Sequence, residues 1–250
     1  MTPGILDDLQ HMSDLRKTSV INNVDIVALQ ETQLSSSGSI KEKDFTFFWQ
    51  GKPSSESMEQ GVGFAIRNRL LGTATPPTGG SERILKIQVQ TRAGPVTLIS
   101  AYAPTLPPSP DSKDKFYEEL ISTLSEVPDR EALFILGDFN ARVGALHSSW
   151  RSCMGHFGLG KMNENGERLL ELCCLHNLCI TNTFFDLKPQ HKVSWRHPRS
   201  KHWHQLDIIL TKRSHLHLVK VTRSYHSADC DTDHSLVCSK VKLIPITTHI

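Results

Sequence analysis

Apolar residues in this chain fall into short runs bounded by glycine, proline and serine, a pattern typical of strands. The segment ILKIQVQT at 84–91 alternates between apolar and polar positions and predicts a strand with one buried face. Further strands are predicted at 24–31, 61–68, 96–104, 133–136, 179–185, 192–195, 205–212, 221–227 and 235–243. Strands therefore outnumber helices in the prediction.

Three segments have apolar residues at helical spacing instead. The first lies at 5–15 and the third at 165–178. The second follows the pair Ser109 and Pro110, which is typical of a helix start. Because helices and strands do not alternate strictly, the pattern predicts an α+β domain with helices packed outside antiparallel or mixed sheets. We expect one domain over 1–243, followed by a C-terminal tail at 244–250.

Composition excludes several classes of protein. The 250 residues are 38% apolar and 22% charged, as in a globular protein, and no apolar run is long enough to cross a membrane. The N-terminus lacks the features of a secretion signal. The six cysteines form no C-x-x-C pair, so we expect neither a disulfide framework nor a structural zinc site, and an intracellular location.

Four acidic residues lie at the ends of apolar strands or within them, where a charge is costly unless it is paired or binds a metal. They are Glu31, Asp138, Asp207 and Asp233, the last followed by His234. Each taken singly is also explained as a turn cap or an ion pair. Together they indicate a site for a hard cation, Mg²⁺ or Mn²⁺, because such ions prefer oxygen ligands. Phosphate-ester hydrolysis is the chemistry that such a set favours.

Charge is concentrated in one part of the chain. Between Lys188 and Arg223 there are nine Lys and Arg residues against one acid, Asp207, together with two tryptophans, whereas the whole chain has a net charge of +2. Basic residues interleaved with aromatic ones are suited to bind a phosphate backbone and exposed bases. A solvated basic loop is an equally good reading of this window by itself.

Five ordered motifs resemble those of the endonuclease/exonuclease/phosphatase superfamily: VALQET, SAYAP, GDFNARVG, LDIIL and TDHSLV. Within it the chain is most similar to the endonuclease domains of non-LTR retrotransposons and to craniofacial-development-protein-2-like proteins, through NENGERLLELC, ITNTFF and SWRHPRSKHWHQLDIIL. The resemblance implies a four-layer α/β sandwich of two central sheets flanked by helices, with the active site at one end of the sheets.

The resemblance also implies roles for the acidic residues. Glu31 is expected to be the principal metal ligand and Asp233 a second one. Asp138 is expected to activate the attacking water, with Asn140 holding water or phosphate from the same side of the strand two residues later. His234 is expected to bind a nonbridging phosphate oxygen while Asp207 fixes its tautomer.

Other residues are expected, by the same resemblance, to contact the substrate. The hydroxyl of Tyr102 would contact the phosphate. The residues expected to contact nucleic acid are Asn163, Asn165, Trp195, Arg196, Arg199 and Lys201.

The function implied is that of a Mg²⁺- or Mn²⁺-dependent endonuclease that nicks DNA to leave a 3′-hydroxyl, with no organic cofactor and a nuclear rather than cytoplasmic location. The family's first strand and its Asn are not found before the helix predicted at 5–15, so we expect the metal site to lack one donor. Two alternatives stay open. One is an inactive module that binds nucleic acid or chromatin, and the other is a same-fold enzyme acting on abasic DNA, RNA or a small phosphoester.

Overall fold

The structure is a computed structural model that describes residues 24–56, 59–105, 110–226, 233–244 and 246. The chain divides into two compact units. The first unit comprises residues 1–103, 110–137 and 243–250, and the second comprises 104–109 and 138–242. The prediction of a single domain over 1–243 stays a prediction.

The first unit contains an antiparallel four-stranded sheet in the order β1-β4-β3-β2. Its strands are β1 (Ile26–Gln30), β2 (Ser37–Lys41), β3 (Phe45–Gln50) and β4 (Val62–Arg67). The sequence pattern did not predict β2 and β3. Strand β2 lies at the edge of the sheet and is mostly polar, and β3 has consecutive aromatic residues instead of an alternation.

A second group of strands in this unit is hydrogen-bonded in the order β5-β6-β7-β8, with α1 in the connection between β7 and β8. These elements are β5 (Ala74–Thr75), β6 (Ile84–Thr91), β7 (Gly94–Tyr102), α1 (Pro110–Ser125) and β8 (Ala132–Asp138), with a 3₁₀ turn before β5 at Asn68–Thr73. Apolar side chains of β4 and β6 share one core cluster, so the two groups pack face to face. Each large apolar side chain buried there stabilises the unit by about 1.5–3 kcal/mol.

The second unit contains one α-helix and three antiparallel strand pairs within the described residues: β9 with β12, β10 with β11, and β13 with β14. The elements are α2 (Glu164–Leu175), β9 (Leu178–Ile180), β10 (Trp195–Arg196), β11 (Trp203–His204), β12 (Asp207–Lys212), β13 (Val219–Tyr225) and β14 (Leu236–Val241). The 3₁₀ turns are His147–Ser149, Thr181–Thr183, Pro189–His191 and Arg213–Leu218.

The predicted mixture of helices and strands is confirmed, with three corrections. The strand predicted over 192–195 is wrong for Lys192 to Ser194, because strand pairing with β11 begins only at Trp195. The helix predicted over 165–178 ends at Leu175, because Asn177 adopts a positive φ of 51° and the chain then enters β9. The strand predicted over 179–185 ends at Ile180, where a 3₁₀ turn begins.

Some predictions lie outside the described residues or at their edge. The helix at 5–15 and the missing first strand both concern residues 1–23. At the start of the predicted tail, the carbonyl of Ile244 accepts a hydrogen bond from Arg92 N at 2.9 Å. Among the helices in the described part of the chain, none is both long and apolar enough to span a bilayer.

Candidate functional site

Strand β8 delivers Asp138 at its last residue. Just before it, Gly137 lies so close to β7 that a Cβ atom would sit 2.0 Å from the carbonyl oxygen of Ala101, so only glycine fits this position. Asp138 is 5% exposed, and the next residue, Phe139, is fully buried. The backbone N–H of Phe139 donates to the carbonyl of Leu206 at 3.2 Å, which places Phe139 beside the start of β12 within the second unit.

Asp138 and Asn140 are related by a turn and not by the alternation of a strand. The prediction that strand periodicity places them on the same side is therefore wrong. The strand ends at Asp138, and Asn140 adopts a φ of 48°. The N–H of Asn140 donates to Oδ1 of Asp138 at 2.8 Å, which is an Asx turn. Asn tolerates this left-handed backbone better than most residues do. The D-x-N spacing therefore fixes one carboxylate oxygen through a local hydrogen bond.

Helix α2 begins against this turn. Asn163 is its N-cap: Oδ1 accepts hydrogen bonds from the N–H groups of Gly166 and Arg142, both at 2.8 Å. A Cβ atom at Gly166 would lie 1.9 Å from the Arg142 carbonyl oxygen, so the glycine permits the close approach. The segment NENG is thus explained by packing, and the Asn163 side chain is used to join the helix to the loop after Asn140.

Asn165 has a supporting role as well. Its amide donates to the backbone carbonyls of Asn140 and Pro104 at 3.2 and 3.1 Å, and the residue is 3% exposed. The expected contact between Asn165 and nucleic acid does not fit a side chain with so little exposed surface. The Asn165 side chain instead supports the turn at Asn140 from the protein interior.

His234 is paired with Asp207. Its Nδ1 lies 3.0 Å from Oδ2 of Asp207, so any further contact of the ring is made through Nε2. Burial lowers the pKa of His234, but the hydrogen bond and charge of Asp207, with the charges of Asp138 and Asp233, outweigh it and raise the pKa to about 9. One ligand atom from each of Asp138, Asp207 and His234 lies within 4.8 Å of the others. Three of the predicted residues are therefore brought together.

Two buried polar residues that the sequence did not single out position Asp207. The hydroxyl of Ser194 accepts hydrogen bonds from the N–H groups of Leu206 and Asp207 at 3.2 and 3.1 Å. Asn182 donates to the Asp207 carbonyl at 3.1 Å and accepts from Ile209 N at 2.9 Å. Their only sequence signal is that each is a polar residue inside a segment predicted to be a strand.

Trp195 is engaged with Asp233. The indole N–H donates to Oδ2 of Asp233 at 2.7 Å, and Arg196 N donates to the Asp233 carbonyl at 3.0 Å. The Asp233 side chain is exposed and the Trp195 ring is half-buried, 6.3 Å from the His234 ring. Trp195 therefore holds Asp233, and its expected contact with nucleic acid stays a prediction.

The β10–β11 hairpin presents the predicted basic side chains to solvent. Arg196, Arg199 and Lys201 are all exposed. The hairpin loop is organised by His197, whose Nδ1 accepts from Arg199 N at 3.2 Å and from Ser200 N at 3.1 Å. Their exposure is compatible with phosphate binding, which stays a prediction.

Glu31 and Tyr102 belong to the first unit. Glu31 follows β1, is exposed, and adopts a φ of 53°, an unfavourable conformation for glutamate. The hydroxyl of Tyr102, a residue that is 7% exposed, donates to Oε1 of Glu31. The Arg83 guanidinium lies 5.5 Å from the centre of the Tyr102 ring. Tyr102 thus holds a carboxylate in this structure.

Polar contacts that the sequence did not reveal also hold the strand before Glu31. Gln30 donates to the hydroxyl of Ser100 at 3.0 Å, and that hydroxyl donates to the Leu29 carbonyl at 3.0 Å. Ser100 is fully buried. The end of β1 is therefore fastened to β7 at Leu29 and Gln30, just before Glu31.

Comparison with known proteins agrees with this fold. The sequence profile of the Endonuclease/Exonuclease/phosphatase family matches residues 7–244. Craniofacial development protein 2 of Bos taurus is 30% identical over 253 residues, which is 99% of this chain and 41% of that protein. The chain thus spans about two fifths of the length of that curated relative.

Two experimental structures show the same fold. The endonuclease domain of TRAS1, a telomere-specific non-LTR retrotransposon, superposes with a TM-score of 0.62 at 16% identity over 92% of both chains. The catalytic domain of Xenopus laevis APE2 superposes with a TM-score of 0.65 at 15% identity over 96% of this chain and 90% of that one. The predicted α+β fold is confirmed.

Proposed function

The chain belongs to the endonuclease/exonuclease/phosphatase family, and from this premise we propose that it is a divalent-metal-dependent phosphodiesterase that nicks DNA and leaves a 3′-hydroxyl. The observation that carries the proposal is the cluster of Asp138, Asp207 and His234 in the second unit. It combines a carboxylate that can accept a proton with an imidazole that can donate a hydrogen bond, which are the two groups that phosphodiester hydrolysis needs.

Each member of the cluster has a separate role in the proposed reaction. Asp138 orients the attacking water and accepts its proton, since one of its oxygens is already fixed by Asn140 N and the carboxylate cannot rotate away. His234 donates through Nε2 to a nonbridging phosphate oxygen, because Asp207 engages Nδ1. Ser194 and Asn182 keep Asp207 in register by binding its backbone.

Glu31 in the first unit and Asp233 in the second are each proposed, within their own unit, as a carboxylate ligand for Mg²⁺ or Mn²⁺. Both have exposed carboxylates, and each has one oxygen oriented by a neutral donor, the Tyr102 hydroxyl and the Trp195 indole respectively. Oriented carboxylate oxygens with room for water fit a hard cation that keeps part of its hydration shell. The ion, when bound, supplies charge neutralisation for the transition state.

DNA as the substrate is supported by the exposed basic hairpin and by the two structural relatives, an endonuclease domain of a telomere-specific retrotransposon and the APE2 catalytic domain. The exposed side chains of Arg196, Arg199 and Lys201 are suited to contact phosphates without reading sequence. A nuclear location follows from this substrate and is part of the same proposal.

A plasmid-nicking assay tests the function. The purified chain is expected to convert supercoiled plasmid to the open circle with Mg²⁺ or Mn²⁺ but not with EDTA, and the nicks should prime a DNA polymerase directly because they carry 3′-hydroxyls. Glu31→Gln and Asp138→Asn should reduce nicking, whereas Asp186→Asn, at an exposed acid outside the candidate residues, should not.

Parallel substrates distinguish the alternatives. Duplexes with one abasic site, single-stranded RNA and a chromogenic phosphodiester are offered at the same enzyme concentration. Faster cleavage of any of these than of intact DNA would replace the proposed substrate. DNA binding without turnover on all of them, unchanged in Asp138→Asn, would replace catalysis with a binding function.

A further inference from the structure

Three cysteines outside the candidate site converge on one turn of the second unit. Cys153 lies in the turn after Trp150, Cys174 lies in the last turn of α2, and Cys179 lies in β9. The sulfur atoms of Cys153 and Cys174 are 3.6 Å apart, although the residues are 21 positions apart in the sequence. All five cysteines in the described part of the chain are thiols.

The two thiols in contact differ in access. Cys153 is fully buried, and burial raises its pKa to about 12, so it stays protonated at neutral pH. Cys174 is half-buried, and its sulfur lies 3.2 Å from the hydroxyl of Ser152, an exposed residue. An oxidant arriving from solvent therefore meets Cys174 first and finds Cys153 directly behind it.

The neighbouring cysteines are placed differently. Cys173 is adjacent to Cys174 in the sequence but is fully buried, on the core side of α2. Cys179 is also buried, and its sulfur accepts a hydrogen bond from the Arg213 guanidinium at 3.7 Å. The accessible thiol with a buried thiol in contact is thus Cys174, with Cys153 as its partner.

We propose that Cys153 and Cys174 form an oxidation site that a peroxide converts into an intrachain disulfide. In the first step the Cys174 sulfur attacks one peroxide oxygen, the O–O bond breaks, and sulfenic acid and water form. In the second step the Cys153 sulfur attacks the Cys174 sulfur, the S–O bond breaks, and the hydroxide leaves as a second water with the Cys153 proton. Two thiols and one hydrogen peroxide give one disulfide and two waters.

The geometry permits the bond with small movements. A disulfide requires sulfur atoms about 2.05 Å apart, so the pair must close by about 1.5 Å. Rotation of the two side chains supplies part of this movement. Cys174 also lies one residue before the end of α2, and helix ends fray more readily than helix interiors. The neighbouring backbone is anchored, since Ile180 N donates to the Cys153 carbonyl at 2.9 Å.

The disulfide would join the last turn of α2 to the turn at 150–153. The first turn of the same helix holds the loop of Arg142 and Asn140 through Asn163 and Asn165. Oxidation is therefore expected to stabilise the element that supports this loop. A cross-link of this span should raise the Tm by roughly 5–10 °C.

The test is peptide mapping after treatment with hydrogen peroxide. The full chain is reduced, treated with peroxide, blocked with an alkylating reagent and digested without reductant. Fragmentation of the linked peptides should show Cys153 joined to Cys174, and dithiothreitol should reverse both the linkage and the rise in Tm. The experiment is repeated with Cys230→Ser, since Cys230 lies outside the described residues.

Matched variants complete the test. Cys174→Ser should lose the disulfide and the Tm shift, whereas Cys173→Ala should retain both. Cys153→Ser removes the buried partner, so peroxide should then carry Cys174 on to sulfinic acid. Three outcomes would each overturn the proposal: recovery of Cys153 and Cys174 only as alkylated thiols, sulfinic acid at Cys174 in the chain without substitutions, or a disulfide to Cys179 or Cys230.

Discussion

Two acidic residues follow apolar strands in this molecule, and the structure holds them in different ways. Glu31 itself occupies the left-handed position after β1, is exposed, and is oriented by the hydroxyl of Tyr102 from β7. Asp138 is the last residue of β8, is buried, and is fixed by the N–H of Asn140, which occupies the left-handed position in its place.

The difference indicates what each carboxylate is suited to do. An exposed carboxylate on a strained turn offers its oxygens to a ligand from solvent, as a hydrated cation requires. A buried carboxylate held by a local turn keeps one orientation, as a base that positions a single water requires. The following predictions test whether the two residues differ in this way.

The largest effect is expected at Asp138. Asp138→Asn should lower the turnover number for DNA nicking by roughly 10²–10⁴-fold, because the carboxamide cannot accept the proton of the attacking water. The Asx turn should survive, since the Asn Oδ1 atom can still accept from Asn140 N. Single-turnover nicking measures the rate, and circular dichroism checks the fold. A rate within a factor of three of the unmodified chain would remove Asp138 from this role.

Glu31→Gln should act on metal binding instead. It keeps the size and the hydrogen bond from Tyr102 but removes the charge, so the dissociation constant for Mn²⁺ should rise at least tenfold. Calorimetric titration with Mn²⁺ measures it in the absence of DNA. Asp138→Asn serves as the comparison and should change this constant less. Equal effects of the two variants would mean that the carboxylates do not differ as described.

A smaller effect is expected on the free energy of unfolding, from the left-handed backbone at Asn140 and Glu31. Asn140→Ala should lower the free energy of unfolding by about 1–2 kcal/mol, because alanine is unfavourable at a φ of 48°. Glu31→Gly should have no such cost, since glycine adopts the left-handed region readily. Urea unfolding measures both, and Asn140→Gly is the control for lost side-chain contacts. An Ala variant as stable as the Gly variant would show that this strain is absent.

The smallest effect is the pH dependence of the His234–Asp207 pair. Since the folded pKa is raised from 6.5 to about 9, the pair's contribution to stability is complete below pH 6.5 and is lost as the pH rises through 9. Asp207→Asn should move the pKa of His234 down towards 6.5 and flatten this part of the stability profile. NMR titration of the imidazole measures the pKa. A pKa of 6.5 in the unmodified chain would contradict the pairing.

Local patterns in the sequence predicted a large part of the fold. Segments with clear periodicity, such as β6 and α1, were confirmed because their alternating or helical stripes bury one face. Strand β2 was missed because it is an edge strand whose pairing depends on β3 and not on its own residues. The break between α2 and β9 was missed because one residue, Asn177, adopts a left-handed conformation that apolar periodicity does not reveal.

The candidate site residues also divide into those that the sequence predicted and those that only the structure revealed. The sequence by itself singled out Asp138 for the right reason, because a carboxylate at the end of a buried apolar strand is costly, whereas Glu31 and Asp233 are exposed. Only the tertiary structure decided that Ser194 and Asn182 hold Asp207, that Trp195 binds Asp233, and that Asn165 is buried beneath Asn140. The physical reason is that a hydrogen bond depends on atoms within about 3 Å, and residues far apart in sequence reach that distance only after the chain has folded.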